Sequence, residues 1–316
     1  MPGQSEHAPR FRALHQGAGP FVIPNVWDGG SAAIMQALGF EALATSSAAC
    51  AATLGKLDGE VTREEALTHA GLIVSVSACP VAGDLENGFG HAPETVAETI
   101  RFAAAAGLAG GSIEDASGDP AAPIYEFEHA VDRVAAAAAE ARRHGFVLTA
   151  RAENFVHQRP DLDDTVRRLQ AYERAGADVL FAPGLPDLAA VRTVCRALKK
   201  PVNFMVGIRG KSFTVRELAA AGVKRISLST TLYRAAMTGL MAAAREVKDT
   251  GTFGYVDTLM RGDELAGYLE EQARAARAES VARTSGADQT ARPDQPGGVS
   301  PGCARRSHSR NPGTAA

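Results

Sequence analysis

Eight short apolar segments alternate with eight longer helical segments along this 316-residue chain, and this alternation restricts the fold more than any other feature. Strands are predicted at Phe21–Trp27, Ala42–Ser47, Pro80–Leu85, Gly111–Asp115, Val147–Ala152, Val179–Pro183, Val202–Val206 and Arg225–Ser229. Helices are predicted at Gly30–Leu38, Thr62–Val76, Ala92–Ala106, Glu126–His144, Asp163–Ala175, Leu188–Leu198, Thr214–Ala221 and Thr231–Lys248. This pattern predicts an α/β fold, the (β/α)8 TIM barrel. A doubly wound sheet is the alternative, but the sequence lacks the GxGxxG turn typical of that fold.

Composition separates the two ends of the chain from the barrel. Residues 281–316 contain five Arg and two Asp, so this segment carries a net charge of +3 and the rest of the chain carries −6. The segment has no Leu, Ile or aromatic residue and is rich in Pro, Gly and Ser. It cannot bury enough apolar surface to offset the entropy of ordering. We therefore expect an N-terminal extension at 1–20, a barrel with C-terminal helices at 21–280 and a disordered tail at 281–316.

Several classes of function are disfavoured by the sequence. There is no run of 18 apolar residues, and the polar first ten residues lack the apolar core of a signal peptide. The slightly acidic net charge of −3 argues against a nucleic-acid binder. Four cysteines without CxxC spacing fit a reducing compartment. We expect a cytoplasmic protein with neither a membrane nor a nucleic acid as partner.

Acidic residues follow two neighbouring strands of the predicted barrel. In a TIM barrel the chemistry takes place at the C-terminal ends of the strands, where Asp84, Glu86 and Glu114 are expected. Three carboxylates so close repel one another unless a cation neutralises them. Carboxylate oxygens suit a hard cation such as Mg²⁺, and no Cys or His accompanies them. These three residues are the candidate metal ligands; the alternative is that they are solvated or cap the next helix.

Arg151 and a pair of serines are candidate binders of a substrate. Arg151 follows the fifth apolar segment, so it can hold a substrate carboxylate by a bidentate hydrogen bond. It can also form an ion pair with Glu153 or Glu114, and both interpretations can hold together. Ser46 and Ser47 lie in a turn of small residues that lets backbone N–H groups approach a ligand oxygen, or that simply caps a helix.

An ordered series of motifs resembles the isocitrate lyase/phosphoenolpyruvate mutase superfamily between about Phe21 and Tyr255. The series consists of Pro24-Asn25-Val26-Trp27-Asp28, Thr45-Ser46-Ser47, Leu54-Gly55, Asp58-Gly59, Asp84-Leu85-Glu86-Asn87-Gly88-Phe89-Gly90, Ile113-Glu114-Asp115 and Ala150-Arg151. The resemblance implies a barrel whose eighth helix is exchanged with a neighbouring subunit in a homodimer or homotetramer. It also implies Mg²⁺ (or Mn²⁺) as cofactor and a small 2-oxo or 2-hydroxy carboxylate as substrate. Members make or break a C–C or C–P bond next to a pyruvate-type enolate.

The resemblance also implies roles for individual residues. Asp84 is oriented most directly to the metal, with Glu86 and Glu114 acting through waters. Asp58 belongs to the same neighbourhood, and the candidate catalytic residues are Arg151, Ser47 and Asp58. Asn203 matches the polar position of the seventh strand. The candidate substrate-binding residues are Trp27, Ser46, Ser47, Arg151 and Asn203.

Three departures from the superfamily pattern narrow the function. The loop at 116–125 lacks the Cys that serves the lyases as acid/base and the Lys and Asn of the phosphonate enzymes. Glu86 stands where many members have Asp, and the sixth strand lacks a Glu that the lyases carry there. Decarboxylation of a 2-oxo diacid such as oxaloacetate tolerates the missing acid/base, because CO₂ leaves before any proton moves. We therefore expect a Mg²⁺-dependent lyase. The alternatives are a phosphonopyruvate mutase or hydrolase and an inactive barrel that only binds a 2-oxo acid.

Overall fold

The structure, a computed structural model, describes residues 4–270 and 274. Each of the eight predicted strands is present, although most are shorter than predicted. They are β1 (Phe21–Ile23), β2 (Leu43–Ala44), β3 (Val81–Asp84), β4 (Gly110–Glu114), β5 (Val147–Arg151), β6 (Val179–Phe181), β7 (Val202–Met205) and β8 (Arg225–Ser227). The α-helices are α1 (Gln4–Gln16), α2 (Gly29–Ala37), α3 (Ser47–Thr53), α4 (Arg63–Ser75), α5 (Pro93–Ala105), α6 (Phe127–Arg143), α7 (Leu162–Ala175), α8 (Leu188–Ala197), α9 (Val215–Ala221) and α10 (Thr231–Thr250).

The strands form one parallel sheet that closes into a barrel. The hydrogen-bonded order is β1-β8-β7-β6-β5-β4-β3-β2. The remaining seam, between β1 and β2, is closed by a parallel bridge from Asn25 to Ala44. The Asn25 side chain strengthens it: Nδ2 donates to the Thr45 carbonyl at 2.6 Å, and Oδ1 accepts from the Leu228 N–H at 3.0 Å. The predicted TIM barrel is confirmed.

The helices cover the outside of the barrel with apolar faces. Leu43, Leu148 and Leu180 of the strands share one buried cluster with apolar side chains of the helices. The helix starts are set by side-chain caps, since Thr62 with Glu65 and Thr214 with Glu217 both form capping boxes. Burial of these faces, at about 25 cal/mol per Å² of apolar surface, holds the strand ends in place.

Helix α1 closes the N-terminal end of the barrel, which the sequence analysis treated only as an extension. Phe11 is fully buried and shares an apolar cluster with residues that lie within strands or directly before them. These are Ile23, Ala42, Ala82, Ala109, Val147 and Val179. His15, one turn after Phe11, is also buried, and its ring meets the Phe11 and Phe21 rings edge to face. The barrel is therefore open only at the opposite end, called the mouth below, where the strands end.

Helix α10, which follows β8, has no buried residue. Its large apolar side chains are exposed, Leu240 by 60% and Val247 by 38%. They lie seven positions apart and so share one helix face. A helix exchanged with a neighbouring subunit has this property, and the exchange stays a prediction of the resemblance.

We expect Leu240→Glu combined with Val247→Glu to convert an oligomer into monomers, because charged side chains cannot be buried in an apolar contact without a large cost. Light scattering during size-exclusion chromatography measures the mass. Arg245→Glu, on the opposite side of α10, is the matched control and should leave the mass unchanged. An unchanged mass for the double variant would show that this face is not an intersubunit contact.

Beyond α10 the chain forms a short 3₁₀ helix, Gly254–Thr258, and a helical segment at 262–270. The sequence predicts the latter as Asp263–Ala278, whose last residues lie mostly outside the described part, as does the predicted tail at 281–316. Among the described residues, no helix has both the length and the apolar character to cross a membrane.

Candidate active site

Two adjoining cavities open at the mouth. The central cavity, of about 280 Å³, runs into the barrel and is lined by Ser46, Ser47, Asp84, Arg151 and Asn203 among others. The outer cleft, of about 800 Å³, lies over β3 and β4 and is lined by Glu86, Glu114 and Glu153 among others. Ser47, Asp58 and Arg151 line both. The mouth therefore brings together every predicted site residue except Trp27.

Arg151, the last residue of β5, is the centre of the charge arrangement. Its guanidinium pairs with Asp84 at 3.1 Å, with Glu114 at 3.1 Å and with Glu153 at 2.7 Å. The register of the sheet places Glu114 of β4 directly beside Arg151. Burial would lower the pKa of Arg151, but these three carboxylates hold that pKa well above its ordinary value. The predicted ion pairs are present, and Arg151 carries a permanent positive charge at the mouth.

Asp84, the last residue of β3, is fixed from two sides. Its Oδ2 accepts a hydrogen bond from the Ser47 backbone N–H at 3.1 Å. Its Oδ1 accepts from Arg151 at 3.1 Å and from the Ser112 hydroxyl at 3.4 Å. The Ser47 N–H, which the sequence analysis considered for a ligand oxygen, is thus directed at Asp84 and positions that carboxylate.

The predicted strand Ala42–Ser47 ends at Ala44, since Ser46 begins a new helix. Ser46 is the N-cap of α3, and its hydroxyl accepts from the Ala49 N–H at 3.4 Å. The sequence analysis did not predict α3 as an element. Its start turns Ser47 toward β3, where it meets Asp84.

Burial raises the pKa of three acids at the mouth, and the charges of neighbouring carboxylates add to the shifts. Burial, with the charges of Asp84 and Asp58 adding to it, raises the pKa of Glu86 to about 7. Burial also raises the pKa of Glu114 and of Asp58, although Arg151 opposes both shifts. Glu86 has a backbone φ of +48°, which is uncommon outside glycine. A site that holds several carboxylates in this state favours a positively charged ligand.

Asn203 of β7 lines the central cavity and contacts residues of β8. Its Nδ2 donates to the Ser227 hydroxyl at 3.0 Å, and its Oδ1 accepts from Nε of Arg225 at 2.8 Å. Arg225 is buried and was not singled out in the sequence analysis. The signal available was an arginine at the first position of an apolar strand, which the period of two places on the inner face beside Asn203.

Trp27 does not line either cavity. Its ring packs edge to face on Tyr233, with ring centroids 5.5 Å apart, and it borders a separate groove with Leu54 and Leu72. Its carbonyl contacts Nε2 of His69 at 2.7 Å. The Trp27 side chain therefore lies outside both cavities, since β1 ends at Ile23, four residues earlier; its role in binding a substrate stays a prediction.

The residues at the mouth fit a divalent cation that keeps much of its water. Among residues 4–270, no three His, Cys, Asp or Glu side chains converge as a complete ligand set. Mg²⁺ normally uses one or two carboxylates and several waters, so such a set is not required. Asp84 lines the central cavity, and the Glu86 side chain has no hydrogen bond or ion pair within the described part of the chain. The chemistry of these donors fits the predicted cofactor.

A buried network supports the site from behind. The Asp115 carboxylate accepts from the Glu153 backbone N–H at 2.8 Å, from the Tyr172 hydroxyl at 2.6 Å and from Arg168 at 3.2 Å. It therefore ties the end of β4 to the segment after β5 and to α7. The loop at 116–125 folds back on itself, since Ala116 bridges to Ile124. Asp115 belongs to the Ile113-Glu114-Asp115 motif, but its place at the centre of this network was not predicted.

Comparisons with known proteins agree with this geometry. The sequence model of the phosphoenolpyruvate phosphomutase family matches residues 11–248. The 2-methylisocitrate lyase of Escherichia coli K12 is 30% identical over 83% of this chain and 92% of its own. An oxaloacetate decarboxylase of Bradyrhizobium diazoefficiens is 31% identical over 61% of this chain and 68% of its own. Among solved structures, a candidate lyase/mutase of Burkholderia cenocepacia J2315 is 48% identical, with a TM-score of 0.82 over 84% of this chain and 96% of its own.

Proposed function

This chain belongs to the phosphoenolpyruvate phosphomutase family of the isocitrate lyase/phosphoenolpyruvate mutase superfamily, and from that premise we propose that it is a Mg²⁺-dependent lyase acting on a short 2-oxo diacid. The proposed reaction is decarboxylation or C–C cleavage of an oxaloacetate-like substrate through an enolate. The observation that carries the proposal is the mouth itself, where Arg151 and several carboxylates converge while the adjacent loop offers no Cys, Lys or His.

Decarboxylation needs little besides stabilisation of the enolate. The bond between the distal carboxylate and its neighbouring carbon breaks, the electron pair stays on that carbon as an enolate, and CO₂ leaves. Water then supplies the proton that gives pyruvate. Fixed positive charge next to the developing oxyanion lowers the barrier, because it needs no reorganisation during the reaction.

Different residues of this chain would contribute to stabilising the enolate. Arg151 directs its charge toward the central cavity and is held by Glu114 and Glu153. Ser47 positions Asp84 through its backbone N–H. Asp84 would hold the cation, with Glu86 and Glu114 binding its waters. When bound, Mg²⁺ (or Mn²⁺) supplies further positive charge beside the 2-oxo and carboxylate oxygens of the substrate.

The test is release of pyruvate from oxaloacetate by the purified protein with Mg²⁺, measured through NADH consumption by lactate dehydrogenase. We expect a rate well above that of the metal alone, and we expect Asp84→Asn to fall to that background. Asp132→Asn, an exposed position on α6, is the matched control and should keep the full rate. Equal rates for the unsubstituted protein and Asp84→Asn would reject the proposal.

Rearrangement or hydrolysis of a C–P bond is the second candidate function. The matching family model favours it, because that family is described as phosphoenolpyruvate phosphomutase. Phosphonopyruvate shares the 2-oxo carboxylate end of oxaloacetate, so the same residues would bind it. Incubation with phosphonopyruvate followed by phosphorus NMR distinguishes the two, since a mutase or hydrolase yields phosphoenolpyruvate or phosphate. Heat of binding without turnover of either compound would instead indicate an inactive barrel that binds 2-oxo acids.

A further inference from the structure

We propose that Arg225, Asn203 and Thr149 form a carboxylate pocket inside the barrel, which binds the distal carboxylate of a dicarboxylate substrate. The pocket lies at the inner end of the central cavity, on the side away from the mouth. The inference rests on the proposed function for the identity of the substrate. The existence of the pocket rests on the contacts of these three residues alone.

Arg225 is a buried cation without a counter-charge. Its relative exposure is 6%, and within residues 4–270 no carboxylate lies within ion-pair distance of it. The hydrogen bond from Nε to Asn203 Oδ1 is the one bond its guanidinium makes to the described part of the chain. Both Nη groups therefore have donors available for a ligand. A buried charge costs several kcal/mol unless an ion or hydrogen-bond acceptors compensate it.

Two other buried arginines of this protein have partners that compensate their charge. Arg168 pairs with Asp115 and with Asp164. Arg133 donates to three backbone carbonyls, those of Asn87, Gly90 and His91. Arg225 has no comparable set. Burial, together with the charge of Arg151, lowers the pKa of Arg225 to about 9, so it is still protonated at neutral pH.

The residues around Arg225 are polar, and not all of their hydrogen-bonding groups have a partner. The Thr149 hydroxyl is buried and has no hydrogen-bond partner in the described part of the chain. Thr149 lies two residues before Arg151 on β5, so both side chains face the barrel interior, with Thr149 one layer deeper. Beyond Arg225 lies His15, whose pKa is lowered to about 3 by burial and by the Arg225 charge. His15 is therefore neutral and supplies no negative charge.

One cavity joins this pocket to the mouth. Arg225, Asn203 and Thr149 line the same space of about 280 Å³ as Ser47, Asp84 and Arg151. A ligand with its 2-oxo carboxylate at the mouth can thus extend inward toward Arg225. A carboxylate matches the planar guanidinium by bidentate hydrogen bonds, whereas a methyl group would leave the buried charge unpaired. Arg225 would therefore select dicarboxylates over monocarboxylates.

Calorimetry with two matched ligands tests the proposal. L-malate and 2-hydroxybutyrate have the same carbon chain and differ by a distal carboxylate in place of a methyl group, and neither loses CO₂ as a 2-oxo diacid does. With Mg²⁺ present, we expect malate to bind about 30-fold more tightly, as for other buried charge pairs. Arg225→Met should remove this preference and leave the affinity for 2-hydroxybutyrate unchanged, while Arg225→Lys retains part of it. A preference for malate that persists in Arg225→Met would overturn the proposal.

Thermal unfolding separates a binding role from a structural one. Because Arg225 has no ionic partner, we expect Arg225→Met without ligand to unfold at the same or a higher temperature than the unsubstituted protein. Malate should raise the unfolding temperature of the unsubstituted protein more than that of Arg225→Met, whereas 2-hydroxybutyrate should raise both equally. If the Met variant does not fold, Arg225 is structural and the proposal fails, unless Thr149→Val, a smaller change, weakens malate binding selectively. Chloride or phosphate that stabilises the protein as well as malate does would show a site for inorganic anions and would reject the assignment.

These measurements are independent of turnover. If oxaloacetate is not decarboxylated but malate binding depends on Arg225, the proposed function fails and the pocket stands. If pyruvate is released but malate binding is indifferent to Arg225, the pocket fails and the proposed function stands.

Discussion

Arg151→Met is expected to lower the free energy of unfolding by about 3 kcal/mol, as for other buried pairs that lose one partner. Turnover of the accepted substrate should fall by about 1,000-fold, the upper range for loss of one preorganised donor. Both effects have the same origin. The guanidinium compensates Glu114 and Glu153, and the Glu153 side chain is only 3% exposed. Methionine fills a similar volume but leaves those carboxylates without a cation.

A second substitution separates the two effects. Glu153→Gln in the Arg151→Met background removes one uncompensated charge, so about half of the lost stability should return. Activity should not return, because the charge of Arg151 is still missing from the mouth in the double variant. Urea unfolding and steady-state rates measure the two quantities. Arg143→Met is the control, since its ion pair with Glu140 lies on the surface of α6 with Arg143 75% exposed and should contribute little. Unfolding of Arg151→Met at the same urea concentration as the unsubstituted protein would contradict the role assigned to these pairs.

The barrel fold and the residues at its mouth could be predicted from the sequence, because both follow from the local periodicity of apolar and polar residues. An apolar run that ends in a polar residue places that residue at a strand end, and closure of the sheet then brings Asp84, Glu114 and Arg151 together. Capping boxes such as Thr62 with Glu65 were predictable for the same reason, since they involve residues three positions apart.

Features that depend on contacts between distant segments could not be predicted in this way. Helix α1 carries a weak apolar pattern, and its role in closing the barrel depends on Phe11 sharing a cluster with residues as distant in the sequence as Val147 and Val179. The position of Trp27 depends on where β1 ends, which strand propensity locates only to within a few residues. Arg225 follows the half-buried Lys224 in the sequence; the period of two along β8 places Arg225 on the inner face, but its lack of a counter-charge depends on distant segments.

The charged residues inside the barrel lie in two layers that differ in how their charge is compensated. Arg151 at the mouth is surrounded by carboxylates, and its positive charge is balanced within the chain. Arg225, one layer deeper, has no such balance. At the closed end, Phe11 and neutral His15 exclude water. Because the chain compensates Arg151 with carboxylates and leaves Arg225 without one, loss of Arg151 is expected to destabilise the fold whereas loss of Arg225 is not.

Gly110→Ala is expected to destabilise the closed end of the barrel by about 3 kcal/mol, the upper range for overpacking of a core. A Cβ at this position would lie 2.6 Å from the Val147 carbonyl oxygen and 2.8 Å from Cε1 of Phe11. The carbonyl belongs to the backbone of β5, which is paired with Gly110 in the sheet, so it cannot move without breaking that pairing. The Phe11 ring is equally confined, because it is fully buried under the strand starts.

Gly71→Ala provides the matched control, since the same methyl group is added where there is space. Gly71 lies within α4, and a Cβ there would meet no atom within 4 Å. Alanine should therefore stabilise that helix by about 0.5–1 kcal/mol through its better helix propensity. Urea unfolding measures the free energy of unfolding of both variants. The two substitutions should change it in opposite directions, so the variants should differ by about 4 kcal/mol. If Gly110→Ala unfolds at the same urea concentration as the unsubstituted protein, Phe11 does not close the barrel against β4 and β5.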